Sequence, residues 1–242
     1  MDMRIDKLLS TLQYGSRKEI KEAAKDGRIQ VNGKIVKDSS VIVNENLDII
    51  QIDDETVFYK PSLTLMMNKP EGYVSANQDN IHQTVMDLLP DKYVRLNLSV
   101  AGRLDLDTTG LLLLTNDGAL LHEIISPKSE TWKTYRATLH YPLEHLDKLE
   151  KGVTILDGND QSFLTRPAKI HVLSDKEVAI SIHEGKFHQV KRMFEVIGNE
   201  VASLCRVSIG ELSLPKDLYQ GEVRELTLVE LEKLFTGKIA HL

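Results

Sequence analysis

The densest group of reactive side chains is Gly102-Arg103-Leu104-Asp105-Leu106-Asp107-Thr108-Thr109-Gly110, where glycines bracket a basic residue and two carboxylates. It follows an apolar segment directly, and loops at strand ends are common seats of reactive groups. If strand alternation persists, Asp105 and Asp107 point to one side and Arg103 joins them. Such a pair could supply a nucleophilic or general-base carboxylate, a glycosidase-like pair or a magnesium site. The plainer reading is a charged turn with a local ion pair. A second group is Glu184-Gly185-Lys186-Phe187-His188-Gln189-Val190-Lys191-Arg192-Met193. Its three cations and histidine sit where a strand hands over to a helix. That arrangement could clamp a phosphate or carboxylate at the helix N-terminus, or be a solvated helix start.

Several other chemistries lack their residues. The chain has no Gly-x-x-x-x-Gly-Lys-Ser/Thr loop, no dinucleotide-binding glycine fingerprint and no His-Glu-x-x-His. Its eight histidines are dispersed, and one cysteine, Cys205, allows neither an intrachain disulfide nor a cysteine-rich zinc site. No metal and no nucleotide cofactor are therefore expected. The N-terminal residues lack the long apolar stretch of a signal peptide, and Leu111-Leu112-Leu113-Leu114 is far too short to cross a bilayer. A cytoplasmic protein with no membrane partner is the expectation. The net charge of -6 argues against a histone-like positive coat, but a local basic face can still serve a nucleic acid.

The elements that position these groups read as α+β. Residues 1–38 hold nine Lys and Arg against six Asp and Glu, whereas 39–60 hold one against five, so a basic head precedes an acidic stretch. In the head, Ile5, Leu8, Leu9 and Leu12 have helical spacing. Ser16 with Glu19 forms a capping box for a second helix, whose apolar face is Ile20, Ala23 and Ala24 and whose end is Gly27. Ile29 and Val31, Asn32-Gly33 and Ile35 read as a hairpin, and Val41, Val43, Leu47, Ile49 and Ile52 continue the strand pattern. A linker is expected at Tyr59-Lys60-Pro61-Ser62, which separates domains 1–58 and 59–242. Beyond it, strands are read at Leu63–Met67, Leu96–Ala101, 134–139, 168–172 and 178–182. Helices are read at 85–89, 119–125 (stopped by Ser126-Pro127), 143–153, 188–197 and near 229–234. The regular βαβ rhythm is absent, so the large domain is expected to hold a mixed, largely antiparallel sheet.

Two resemblances sharpen this picture. Arg4-Ile5-Asp6-Lys7-Leu8-Leu9, Ser16-Arg17 and Gly27-Arg28-Ile29-Gln30-Val31-Asn32-Gly33-Lys34 resemble the S4 RNA-binding domain, a small αα-β module. That likeness implies phosphate contacts from Arg4, Lys7, Arg17, Lys18, Lys21, Lys25, Arg28 and Lys34. The Gly102–Gly118 segment is similar to the signature of bacterial ribosomal RNA pseudouridine synthases. Asn68-Lys69-Pro70-Glu71-Gly72, Lys133-Thr134-Tyr135 and the 184–193 segment resemble further motifs of that family.

This second resemblance implies a pseudouridine synthase domain that isomerises a uridine. It marks Asp105 as the essential carboxylate, Lys191 as the basic group paired with it, Arg103 beside them, and Tyr135 as the tyrosine packed against the target base. Leu204 would form an apolar pocket wall, and Lys69, Lys186, His188, Gln189 and Arg192 would contact RNA. No cofactor is implied. The Asp107-Thr108-Thr109-Gly110 and His188-Gln189-Val190-Lys191-Arg192 forms are most similar to the small-subunit branch, which acts on 16S ribosomal RNA. The implied partner is 16S RNA within an assembling small-subunit particle, bound by a monomer. A 23S enzyme and a non-catalytic S4-type RNA-binding or assembly protein are the alternatives.

Overall fold

A computed structural model describes residues 2–44, 47–126 and 129–237. Pro127, read above as part of a helix stop, and Glu45, counted in the acidic stretch, lie outside them. The chain forms two compact units, Met1–Ser62 with Leu89–Leu98, and Leu63–Leu88 with Ser99–Leu242.

In the first unit, β1 (Asp2–Arg4) leads into α1 (Ile5–Thr11) and α2 (Arg17–Lys25). Ser16 caps α2 through the expected capping box, and Ile20, Ala23 and Ala24 are its buried face. β2 (Ile29–Val31) turns at Asn32-Gly33, both with positive φ, into β3 (Lys34–Ile35). β4 (Ile42–Asn44) pairs with β1, while β5 (Ile50–Ile52) lies between β2 and β6 (Glu55–Thr56). The strand alternation read through Leu47 and Ile49 falls on the wrong face. Both are exposed, and the residues that turn inward are Val43, Ile50 and Ile52.

The segment 89–98 departs from the reading more sharply. Leu96 and Leu98 were expected in the strand entering the reactive loop. Asn97 instead adopts φ 50°, which breaks the alternation, and both leucines are buried in the first unit. Here α3 (Asp91–Val94) precedes Arg95, which donates to Gln13 O and lies over the Tyr14 ring. The Asn97 side chain donates to Thr11 O at 2.8 Å, and Tyr93 meets Phe58 edge-on.

The second unit is built on β7 (Thr64–Lys69), β8 (Ser99–Ala101), β9 (Thr108–Thr115), β10 (Lys133–Leu139), β11 (Thr154–Leu156), β12 (Ser162–Leu164), β13 (Lys169–Val172), β14 (Glu177–Ile182), β15 (Val201–Ile209), β16 (Leu212–Ser213) and β17 (Val223–Glu225). Its main sheet runs β13-β14-β10-β15-β9-β7-β17, with β15 and β9 parallel and the other pairs antiparallel. The leucine run lies in β9 and is buried on both faces, as a central strand covered on both sides requires. One core gathers Met66, Leu111, Leu113, Ile124, Ile209 and Leu234. The helices are α4 (Gly118–Ile125), capped by Asp117, then α5 (Leu146–Lys151), α6 (Gln189–Val196) and α7 (Leu228–Glu232). Among the described residues, no helix is long and apolar enough to cross a membrane.

Gly110 in β9 lies opposite Arg206 of its parallel neighbour β15. Its φ is +103°, and an added Cβ would stand 2.3 Å from Arg206 O. Only glycine satisfies both demands.

Candidate active site

Asp105 and Asp107 lie in the irregular segment between β8 and β9, so strand alternation does not hold there. The segment is held from beneath. Lys69, at the end of β7, is wholly buried, and its Nζ donates to Asp105 O (3.0 Å), Leu106 O (3.3 Å), Thr108 O (2.8 Å) and Pro70 O (3.0 Å). Ser75 Oγ donates to Leu104 O and accepts from Leu104 N, and Gly72 N donates to Leu106 O. The Asn68–Gly72 motif and Ser75 therefore act as a bracket for the carboxylate loop. Burial pushes the Lys69 ammonium down to about 8, a shift that the nearby carboxylates oppose. Lys69 was expected to contact RNA; buried and saturated with carbonyl partners, it is out of reach of a phosphate backbone.

The second motif meets this loop from α6. His188 precedes the helix with φ 51°, and Lys191 follows in its first turn. Lys191 Nζ stands 2.5 Å from Asp107 Oδ1 and 3.4 Å from Asp105 Oδ2, while His188 Nε2 is 3.6 Å from Asp105 Oδ1. Burial would raise the Asp107 carboxyl, but the hydrogen bond and charge of Lys191 outweigh it and hold the group below its usual range. The Lys191 ammonium thus occupies the space between the carboxylates. Among the described residues, no three His, Cys, Asp or Glu side chains gather as metal ligands.

The remaining expected site residues separate into two groups. Arg103 is exposed and forms no ion pair with either aspartate. Gln189 is buried; its side chain donates to Glu184 (2.6 Å) and accepts from Lys186 N (2.9 Å), so it fixes the loop and is not free for RNA. Arg192 donates to the carbonyls of Leu156 and Asp157. Lys186 is exposed and lies over the Phe163 ring. In the first unit, Arg4 pairs with Asp6, Lys25 with Glu22 and Arg28 with Asp53. The exposed side chains of Lys7, Arg17, Lys18, Lys21 and Lys34 carry no ion pair among the described residues.

Tyr135 and Leu204 are buried on adjoining strands. Tyr135 is opposite Arg206, and Leu204 is opposite Ala137 and beside Thr108. They therefore share one face of the sheet, which is also the face of Thr108 at the start of β9. The sequence reading did not single out Arg206. This guanidinium is buried, and its Nε donates to Leu111 O. A lone cation in an otherwise strand-like run is the signal that marks it. Lys133 shares this region, and burial, with the charge of Arg206, pushes its ammonium down to about 8.

Comparison with known proteins identifies the family. The RNA pseudouridylate synthase family matches residues 63–196, and the S4 domain matches residues 3–49. The chain is 44% identical to an uncharacterized RNA pseudouridine synthase, YtzG, of Bacillus subtilis (strain 168), over 96% of this chain and 98% of that one. It is 38% identical to ribosomal small subunit pseudouridine synthase A of Escherichia coli (strain K12), over 95% and 98% respectively. A crystal structure of a pseudouridylate synthase aligns with a TM-score of 0.66 at 39% identity, covering 96% of this chain and 99% of that one.

Proposed function

This chain belongs to the RNA pseudouridylate synthase family, and from that premise we propose that it converts one uridine of 16S ribosomal RNA to pseudouridine. The observation that carries the small-subunit target is the 38% identity to ribosomal small subunit pseudouridine synthase A, which runs through both units. The RNA is met as part of an assembling small-subunit particle, in the cytoplasm, by a monomer.

The reaction breaks the N1–C1′ bond of the uridine and forms a C5–C1′ bond. The C5 proton leaves and N1 takes up a proton, so atoms balance with no external group and no redox partner. Asp105 acts at the sugar as the reactive carboxylate. Lys191, 3.4 Å away, holds the carboxylate in place, and the Lys69 bracket fixes the loop that presents it. Tyr135 packs against the uracil and Leu204 walls the pocket, in keeping with the sheet face that they share. The uridine must leave its stack to reach them. Arg17, Lys18, Lys21 and Lys34 supply phosphate contacts that grip without reading bases.

The test is incubation with unmodified 16S and 23S RNA fragments and with assembly particles, in EDTA, followed by carbodiimide primer extension. New pseudouridine in 16S RNA is expected. Pseudouridine confined to 23S RNA overturns the small-subunit target, and none on any substrate overturns the enzyme reading.

A further inference from the structure

We propose that the His188 ring is a stacking platform for the nucleobase adjoining the target uridine. This rests on the reading of Asp105 as the reactive carboxylate.

His188 occupies the left-handed region, unfavourable for a residue with a Cβ, immediately before α6. The conformation lays its ring on Phe187, with centroids 3.7 Å apart and planes within 20°. Phe187 is itself backed. The Arg192 guanidinium lies 5.1 Å from its ring centre, and Arg192 is anchored on the carbonyls of Leu156 and Asp157. In the same β11–β12 turn, an added Cβ on Gly158 would stand 3.3 Å from Phe187 Cβ. The ring pair is therefore a supported shelf rather than two loose side chains.

That shelf keeps open surface beside Asp105. The His188 side chain is 39% exposed, and Phe187 is 54% exposed. The edge of His188, at Nε2, faces the Asp105 carboxylate at 3.6 Å. The carboxylate addresses the sugar of the target, so a ring whose edge points at it presents its face to something beside that sugar. Flat groups with apolar faces, placed next to a target nucleotide along a strand, are nucleobases. Aromatic side chains hold them by stacking with little regard to sequence. Phe187 covers one face of His188, and the adjoining base covers the other.

The experiment uses full-length protein and a 16S fragment carrying the target uridine, with an abasic nucleotide on its 5′ or its 3′ side. Dissociation constants and single-turnover rates are measured for wild type, His188→Ala and His188→Phe. The wild type should lose about tenfold in affinity when the base on one side is removed. His188→Ala should bind the intact fragment about tenfold more weakly and be indifferent to that abasic change, the non-additivity expected of groups in contact. His188→Phe should restore both affinity and sensitivity. Wild type that modifies the fragment yet ignores both abasic changes overturns the platform alone. A His188→Phe variant as poor as His188→Ala also overturns it, since the polar edge toward Asp105 would then be what matters. Absence of pseudouridine with wild type on every 16S substrate is the separate failure of the underlying function.

Discussion

Lys191 gives its short hydrogen bond to Asp107, at 2.5 Å, and stands 3.4 Å from Asp105. The lysine expected to pair with Asp105 is thus shared, and the neighbouring aspartate has the closer hold. Asp107 takes the hydrogen bond of the ammonium, while the two Asp105 oxygens stand 3.4 Å from Lys191 and 3.6 Å from His188.

The two carboxylates should therefore separate in mutagenesis. Asp105→Asn nearly preserves volume and should abolish single-turnover pseudouridine formation while RNA binding and fold persist. Asp107→Asn should keep measurable chemistry at a reduced rate, on the order of tenfold, as Lys191 loses its closer partner. Both are measured at saturating enzyme, with fold checked by circular dichroism. Near-normal turnover for Asp105→Asn would refute its role, and equal loss in both would point to a catalytic pair.

Lys69 should matter for structure first. Lys69→Met leaves the carbonyls of residues 105, 106 and 108 without their buried donor. A destabilisation of about 1–3 kcal/mol is expected, the cost of a buried group left unpaired, since Leu106 O keeps Gly72 N and Asp105 O keeps Thr108 N as donors. Urea unfolding measures the loss. RNA affinity of the still-folded variant should match wild type. A variant as stable as wild type but deficient in RNA binding would return Lys69 to the RNA surface.

The head should act through charge. Replacing Arg17, Lys18 and Lys21 with Gln should weaken RNA binding uniformly and reduce the slope of log K against log salt by about 2–3. An unchanged slope would place the RNA elsewhere. Deletion of residues 1–58 is a poor substitute for this test. It removes Thr11, Gln13, Tyr14 and Phe58, which hold Asn97, Arg95 and Tyr93. The truncated chain should melt at lower temperature than the full chain and expose apolar surface.

Glu230 links acid stability to the last helix. It accepts two hydrogen bonds from the Arg224 guanidinium and closes a capping box with Thr227. The Arg224 bond, reinforced by Thr227 against the opposing effect of burial, lowers its carboxyl to about 2 from 4.5. The carboxylate form is the one stabilised, so the contribution is full above about pH 4.5 and is lost as pH falls through about 2. Glu230→Gln should cost about 1–2 kcal/mol at pH 7, allowing for solvent screening, and progressively less toward pH 2. Urea midpoints at several pH values test this; a gap that stays constant with pH would refute it.

What could be read in advance was what lies close along the chain. The Ser16–Glu19 capping box, the Asn32-Gly33 turn and the helix following Asp117 are local arrangements, and all three form. Asp105 and Lys191 do come together, as the resemblance implied, and His188, read as an RNA contact, joins them. Lys69 and Gln189 were misread for a common reason. A polar side chain inside a recognisable motif looks like a contact for ligand until its partners are known, and those of Lys69 arrive from residues 105–108. Leu96 and Leu98 alternate as a strand would, but the backbone at Asn97 turns positive in φ and sends both into the first unit.

The interleaved order of the two units bears on how the protein is made. The first unit is incomplete at Ser62, because Leu89–Leu98 belongs to it. A ribosome adding about 5–20 residues per second needs roughly 2–7 s to extend the chain from Ser62 to Leu98. Throughout that interval the nascent head lacks Tyr93, Arg95 and Asn97, and the first strand of the second unit, β7, has already been synthesised without β9 to pair with it. Completion of the head is therefore tied to the birth of the catalytic half, and any slow codon cluster between residues 63 and 98 would lengthen the window in which both are unfinished.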